Sequence, residues 1–472
     1  MRARDALGGE AQPVGERQSP GHNRTVFPSR WLQVPAVVSL LLVGCLTDPG
    51  LDDGLDDRAD AADAGTAGEA DGVALEMAGA GGSYAPLPAQ STPSVGFRAT
   101  FHSIERPDPD YRERREGGRV DAIQPAGSKV FIGGYFNRAI RRNQTEVTRN
   151  ALAAMSTSTL DLVTTCNPSL GPAGLYGARV RALALSKDGS TLFVAGRFSN
   201  VGGVARENLA AIRVSDCSLL DHFAGWSVNG EIYSLLVDGN ALYVGGDFTS
   251  IGGANRSHVA KLDVANASVS VASWNPRSSK RVKALALDRT NGRVILVLWT
   301  AGTVAGQAGA ETIALDRSTG AYAWKANTGD GGMAAVTDAS NVYVGVRGVG
   351  GRVYAYRLSN GTELFWHFCN GDVQAITRYR RDITVGFHDN AVAAANDSTQ
   401  WDIGAVGVWR MTAGGEVDTD WLPSITAGQG DSPWKVWSLY GDAGRGALYV
   451  GGDFTRVAGR AQQRFTVFQA PP

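Results

Sequence analysis

The stretch that decides the fold of this chain is Leu242-Tyr-Val-Gly-Gly-Asp-Phe-Thr249, because it returns with small changes along the sequence. Related stretches occupy residues 192–199 and 448–455, and a looser one starts at Val130. Short hydrophobic runs that end in glycine are typical of β-strands that bend or approach another backbone closely. The recurrence predicts an architecture built from copies of one small unit.

A second pattern recurs along the sequence, and a copy of it lies shortly before each stretch of the first pattern. It consists of an aliphatic residue, a spacer, a small residue and another aliphatic residue. Its seven copies start at Val120, Val180, Ile232, Val282, Met333, Val373 and Val436. A spacing of about fifty residues that contains only strand-like segments is typical of a four-stranded propeller blade. The small third residue is expected where the innermost strands converge around a central channel.

The predicted fold class is therefore all-β, a seven-bladed β-propeller with four antiparallel strands per blade. After Val436 only three strands follow the period, and the segment Val95–Phe101 before the first repeat is left over. We expect this N-terminal segment to complete the last blade as its outer strand. Such pairing would close the ring and cover an exposed strand edge.

Composition narrows the classes of function. The 472 residues carry a formal net charge of -1, which gives no general attraction to nucleic acid. The six histidines show no metal-ligand spacing, so no metal and no cofactor are predicted. We also expect a monomer.

The N-terminal region is predicted to be a targeting signal. Residues 31–44 form an apolar run with the length of a signal-peptide core. The run ends in Leu42-Val43-Gly44-Cys45, which resembles the bacterial lipobox. That resemblance implies a lipid anchor on Cys45, and Leu46 after it favours the outer membrane or cell surface.

Three regions follow from this assignment. Residues 1–44 are interpreted as a lipoprotein signal peptide with an atypically long leader. Residues 45–94 are rich in Asp, Ala and Gly and are expected to be a disordered tether. Residues 95–472 are predicted to form the propeller.

The remaining three cysteines are Cys166, Cys217 and Cys369. A bridge between Cys166 and Cys217 would form in an oxidising compartment, and three separate half-buried thiols are the alternative. Cys166-Asn-Pro168 aligns with Trp274-Asn-Pro276, which assigns Cys166 to a structural tryptophan position rather than a reactive site.

The stretch from Leu242 to Gly253, with Arg256 beyond it, resembles the delta-60-type propeller repeat of bacterial surface and secreted proteins. A second stretch, from Ala314 to Gly320 with Trp324 after it, is similar to the repeat of quinoprotein-type propellers. Both resemblances imply a propeller of the wider kelch-like and quinoprotein-like kind. Neither implies an activity or a quinone cofactor.

Two groups of residues are candidates for special roles. Asp and Arg recur at fixed repeat positions, and we interpret them as structural pairs that clamp a loop: Asp247, Asp453, Arg149, Arg206 and Arg256. The long loops before the first, second and last repeats are expected to meet on one face. They carry the candidate partner-binding residues Tyr111, Arg112, Arg114, Arg115, Tyr176, Trp434 and Lys435. Aromatic and arginine side chains are frequent at binding hot spots, although such loops also simply cover blade edges.

The favoured function is a non-catalytic binding or scaffold module for a protein or glycan partner, held at the membrane by its lipid anchor. A narrower version is an assembly-factor lipoprotein of the outer membrane. The alternative is an extracytoplasmic enzyme that acts on glycans, a hydrolase or lyase. Two acidic side chains that converge at the channel mouth would favour the enzyme.

Overall fold

The computed structural model describes residues 96–98, 118–173, 177–265, 267–348, 350–369, 371–388, 396, 407–426 and 436–469. Within these ranges the chain consists of β-strands, turns and one short 3-10 helix, Asp221–Phe223. The all-β prediction is therefore confirmed. No helix in the described part of the chain has the length and apolarity needed to cross a membrane.

Seven antiparallel sheets follow one another along the described chain, and in each the strands pair in chain order. The first three sheets comprise Arg119–Ala126, Lys129–Tyr135 and Leu152–Ser156; Arg179–Leu185, Thr191–Arg197, Leu209–Arg213 and Leu219–Leu220; and Ile232–Asp238, Ala241–Gly246, Val259–Asp263 and Ser270–Val271. The fourth and fifth comprise Val282–Asp288, Arg293–Val304, Gln307–Asp316 and Tyr322–Ala326; and Gly332–Thr337, Asn341–Val346, Arg352–Arg357 and Glu363–Phe368. The last two comprise Val373–Tyr379, Asp382–Phe387 and Val408–Met411; and Val436–Asp442, Ala447–Gly452 and Phe465–Gln469.

The predicted four-strand unit is thus present in the second to fifth sheets. In the first and sixth sheets a single bridge replaces the fourth strand, Met155 to Leu162 and Met411 to Val417. The seventh sheet has three strands in the described range.

Four sheets carry a small hairpin between their second and third strands, and in the second and third sheets a Gly-Gly pair forms its turn. The hairpin strands are Arg138–Ile140 with Glu146–Thr148, Asn200–Val201 with Val204–Ala205, Ser250–Ile251 with Ala254–Asn255, and Arg456–Val457 with Arg460–Ala461. Gly252 and Gly253 have positive φ angles of 55° and 77°, so the turn favours glycine at both positions. In the fourth sheet the two long central strands continue into the corresponding turn at Ala305 and Gly306.

The prediction for the N-terminal strand was wrong. Gly96–Arg98 pairs with the hairpin strand Arg138–Ile140 of the first sheet, not with the last sheet. Leu170–Gly171 and Ile425–Thr426 pair in the same way with the hairpins of the second and seventh sheets. Each of these segments lies just before the first strand of its own sheet, so Gly96–Arg98 occupies a position that recurs along the chain.

Neighbouring sheets interlock through one pair of positions. The second strand presents a glycine, and a valine on the first strand of the next sheet fills the space that a Cβ atom would need. The pairs are Gly133 with Val180, Gly245 with Val282, Gly345 with Val373 and Gly386 with Val436. Between the second and third sheets, Ala195 and Ile232 lie in one buried cluster.

The same interlock joins the last sheet to the first. A Cβ atom on Gly451 would overlap Cγ1 of Val120. The Ser438 hydroxyl also donates a hydrogen bond of 3.3 Å to the carbonyl oxygen of Val120. First strands contact first strands from each sheet to the next, and Val436–Asp442 contacts Arg119–Ala126.

The structure corrects the alignment of the fifth repeat by one residue. Gly332 pairs with Val346 in the same way as Val120 pairs with Gly134 in the first sheet. The fifth repeat therefore begins at Gly332 and not at Met333. Val297 stands at the glycine position of the preceding sheet, and a Cβ atom on Gly332 would overlap its Cγ1. At this boundary the valine lies on the second strand and the glycine on the first strand of the next sheet. The repeat therefore begins with a residue that is not aliphatic, and the sequence pattern placed its start one residue too late.

The aromatic position at the end of each unit links one sheet to the next. The indole nitrogen of Trp274 donates to the carbonyl oxygen of Asp316 at 3.1 Å, and that of Trp324 donates to Leu358 at 2.7 Å. Cys166 takes this position in the first sheet and forms a disulfide with Cys217 of the second sheet. Cys369 is a buried free thiol. Of the two possibilities left open by the sequence, the structure has the bridge.

Candidate functional site

Every first strand carries a bulge at the same place, and this bulge positions the candidate site. The register with the second strand shifts between the first and third residues of each repeat, for example between Val120 and Ala122. The residue inside the shift is the spacer of the sequence pattern. The seven bulge residues are Asp121, Arg181, Tyr233, Lys283, Met333, Gln374 and Trp437. Bulges re-aim side chains and are frequent near functional sites.

Five of these side chains, all but those of Met333 and Gln374, meet charged and aromatic neighbours in what we call the inner-strand cluster. The inner-strand cluster comprises Arg119, Asp121, Arg179, Arg181, Arg197, Glu231, Tyr233, Asp247, Arg281, Lys283, Trp299, Arg347 and Trp437.

The first carboxylate of the inner-strand cluster is Asp121, whose side chain is 5% exposed. Arg179 from the second sheet donates to both of its oxygens, through Nε at 2.8 Å and Nη2 at 3.3 Å. Arg119 binds the same carboxylate, and its guanidinium lies 3.6 Å from the ring centre of Trp437. Burial raises the pKa of Asp121, and the guanidinium groups of Arg119 and Arg181 oppose that shift.

The second carboxylate is Glu231, at the start of the third sheet. Nε of Arg181 lies 2.6 Å from Oε1, and Nη1 of Arg197 lies 3.9 Å from Oε2. The Tyr233 hydroxyl donates to Oε2 at 3.5 Å. This carboxylate therefore joins the second sheet to the third.

The third carboxylate is Asp247, the repeated Asp of the Gly-Gly-Asp-Phe-Thr motif. Nη2 of Arg281, at the start of the fourth sheet, lies 2.9 Å from Oδ2. Nε2 of His258 lies 3.6 Å from Oδ1. Asp247 remains 38% exposed, so it sits at the rim of the inner-strand cluster.

Lys283 is the bulge residue of the fourth sheet, and its ammonium group lies close to two aromatic rings. Its Nζ atom is 4.1 Å from the ring centre of Tyr233 and 4.9 Å from that of Trp299. Arg347 approaches Trp299 at 4.2 Å. Such cation–π contacts stabilise a cation without neutralising it.

The surroundings of Lys283 disfavour its charge. Burial lowers the pKa of Lys283 to about 7, and the positive charges of Arg181, Arg281 and Arg119 add to the shift. Glu231 opposes the shift by attraction. In the free protein the amine is therefore partly deprotonated near neutral pH.

The repeated arginines of the motif act away from this cluster, on the backbone. Arg149, Arg206 and Arg256 each donate from Nη1 to the carbonyl oxygen of the preceding residue. From Nη2 they reach the carbonyl oxygens of Thr164, Leu220 and Ala272, 14 to 16 residues further on. The structure thus gives the repeated Arg and the repeated Asp247 different partners, where the sequence suggested a mutual pair. Asp453, the corresponding aspartate of the seventh sheet, is buried.

The predicted partner-binding residues Tyr111, Arg112, Arg114, Arg115, Tyr176, Trp434 and Lys435 lie outside the described residues, as does Cys45. The sequence analysis passed over the inner-strand cluster because it treated the bulge position as a spacer. A signal was present, since six of the seven bulge residues are charged, polar amide or aromatic. In the part of the chain that the structure describes, no group of three His, Cys, Asp or Glu residues could hold a metal ion.

Comparisons with known proteins concern the fold. Residues 240–264 match a family described as a domain of unknown function (DUF5122) beta-propeller. No curated protein matches the chain. The computationally designed Ika8 protein has a similar structure at 11% identity and TM-score 0.44, covering 76% of this chain and 98% of that one. The Myceliophteria thermophila Cps50 (Swd1) beta-propeller domain is similar at 9% identity and TM-score 0.46, with the same coverage.

Proposed function

We propose that the seven sheets are the blades of one closed seven-bladed propeller. The proposal rests on the interlock between Gly451 and Val120, which repeats at the junction of last and first sheets the packing found between successive sheets. Closure then depends on first strands and not on the N-terminal strand. In such a ring the inner-strand cluster lies at one mouth of the central channel.

We propose further that the protein is a non-catalytic binding or scaffold module for a protein or glycan partner. The observation that carries this proposal is the state of the three carboxylates of the inner-strand cluster. Asp121, Glu231 and Asp247 each contact at least one guanidinium group, which occupies carboxylate oxygens that a glycan substrate would need. Glycan hydrolysis needs a carboxyl pair that is open to the substrate.

The place of action that we propose is the cell envelope, at the outer membrane or cell surface, with a lipid anchor on Cys45. Two features support it. The lipobox-like sequence precedes a polar tether, and Cys166 is bridged to Cys217. Disulfides persist in extracytoplasmic, oxidising compartments.

Lipidation is tested by labelling cells that express the full chain with a radioactive fatty acid. The wild type is expected to carry the label and to sediment with membranes. Cys45→Ser should lose both properties, while Cys369→Ser, which changes a buried free thiol, should keep them. Equal labelling of wild type and Cys45→Ser would exclude the anchor.

Binding and catalysis are separated by one experiment on immobilised full-length protein. Defined envelope polysaccharides are passed over it, and both retention and polymer length are measured. Retention with unchanged length is expected for a binding module. New reducing ends or unsaturated sugar products would instead establish the alternative, a glycan hydrolase or lyase.

A further inference from the structure

Lys283 is a residue of the inner-strand cluster whose hydrogen-bond donors have no acceptor among the described residues. An ammonium group has three hydrogen-bond donors. Among the described residues, Nζ of Lys283 contacts the faces of Tyr233 and Trp299 and has no hydrogen-bond acceptor. Arg347, on the same tryptophan ring, has a buried Nε atom that also lacks an acceptor within the described ranges.

The charge balance of the inner-strand cluster points in the same direction. Asp121, Glu231 and Asp247 each already contact a guanidinium group. Among the described residues neither Lys283 nor Arg347 forms an ion pair with a carboxylate, and both cations contact the ring of Trp299. Two neighbouring cations without a counter-charge repel each other, and a bound anion would relieve that repulsion.

We propose that the inner-strand cluster binds an anionic ligand through an oxyanion, a carboxylate or phosphate group, that accepts hydrogen bonds from Nζ of Lys283. This deepens the proposed binding function and rests on it. The oxyanion supplies the acceptors that the lysine lacks and a counter-charge for Lys283 and Arg347. Contact with the rings of Tyr233 and Trp299 holds the ammonium in place for this interaction.

Proton uptake on binding is an expected signature of such a site. A bound oxyanion stabilises the ammonium form of Lys283 and raises its pKa above the value of about 7 in the free protein. At slightly alkaline pH, ligand binding should therefore take up a proton. The charged groups that act on Lys283 are Arg181, Glu231, Arg281 and Arg119, and of these only Glu231 favours the ammonium.

The test is isothermal titration of the full-length protein with three probes. Glucuronate and inorganic phosphate represent the two sources of an oxyanion, and glucose is the neutral control. We expect one or both anions to bind and glucose not to bind. Repeating the titration in buffers of different ionisation enthalpy should reveal the proton taken up.

Two variants decide whether Lys283 is the donor. Lys283→Met keeps the aliphatic stem and is expected to weaken anion binding by roughly ten- to a hundredfold, the loss of one charge-assisted hydrogen bond. Lys187→Met, which removes an exposed lysine of the second sheet, should leave the affinity unchanged. Arg347→Met should also weaken binding, and it provides a second measurement if Lys283→Met does not fold.

Equal anion affinity in wild type and in both cluster variants would overturn the inference, as would the absence of binding by any anion. The proposed function would survive either result if immobilised wild type still retained an envelope polysaccharide. If the wild type neither bound an anion nor retained an envelope polysaccharide, both the inference and the proposed function would be contradicted.

Discussion

Gly332 and Val297 have exchanged sizes relative to the equivalent residues at the neighbouring sheet boundaries. At five other boundaries a glycine of the second strand faces a valine of the next sheet, as Gly245 faces Val282. Between the fourth and fifth sheets the second strand supplies Val297 and the next sheet supplies Gly332. At these six boundaries the space between sheets therefore holds one valine side chain, whichever strand provides it.

This exchange predicts a compensating pair of substitutions. Gly332→Val should destabilise by roughly 1–3 kcal/mol through overpacking, and Val297→Gly by roughly 2–4 kcal/mol through a cavity. The double variant should recover part of the loss, with a coupling of roughly 0.5–3 kcal/mol. Chemical denaturation of the four proteins measures it, and additive losses would contradict the exchange.

Lys283 predicts a pH-dependent stability. Its pKa is lowered to about 7 in the folded protein, below the usual value for lysine, so the unfolded chain binds more protons above pH 7. The wild type should therefore gain stability relative to Lys283→Met as the pH rises from about 7 to about 10, by roughly 3–5 kcal/mol.

Denaturation of both proteins over this pH range measures the difference. Lys187→Met is the control, because an exposed lysine should show no such trend. A constant difference between wild type and Lys283→Met would show that the lysine keeps its ordinary pKa.

The disulfide predicts a loss of stability on reduction. Cys166 and Cys217 are 51 residues apart in sequence and join the first sheet to the second. Replacing both by alanine should cost roughly 2–5 kcal/mol. Thiol labelling of the unfolded protein should find Cys166 and Cys217 reactive only after reduction, and Cys369 reactive before it. Labelling of all three without reductant would disprove the bridge.

The repeated arginines predict a structural effect. Arg149 is buried, and its guanidinium donates to the carbonyl oxygens of Thr148 and Thr164. Arg149→Met leaves those oxygens without this donor and should cost roughly 1–3 kcal/mol. Arg357→Met, on an exposed strand position, should change the melting temperature little. Equal effects of the two substitutions would argue against a clamp.

The long loops before the first, second and last repeats predict a partner surface. Substituting Tyr176, Arg115 and Trp434 together by alanine should reduce retention of the envelope partner at least tenfold, since such side chains often dominate interfaces. The fold should be preserved, as judged by circular dichroism. Unchanged retention by the triple variant would leave the inner-strand cluster as the remaining candidate surface.

Much of the fold could be predicted from the sequence because local signals repeat. Alternating hydrophobic residues, paired glycines and turn residues specify strands and hairpins through short-range sterics alone. The role of Gly96–Arg98 was also within reach. Pro-Ser followed by an aliphatic residue occurs at Pro93–Val95, Pro168–Leu170 and Pro423–Ile425, directly before or within the segments that pair with the hairpins.

The sequence by itself determined the repeat, its strands and the small residues at which neighbouring sheets pack. Only the tertiary structure decided that Arg181, Glu231 and Lys283, each about fifty residues from the next, share one charged cluster. The physical reason is that the charge a side chain experiences depends on residues that the fold brings together from distant strands. The Gly-Gly-Asp-Phe-Thr repeat belongs to the scaffold, and the bulge position on the preceding strand supplies side chains to the inner-strand cluster.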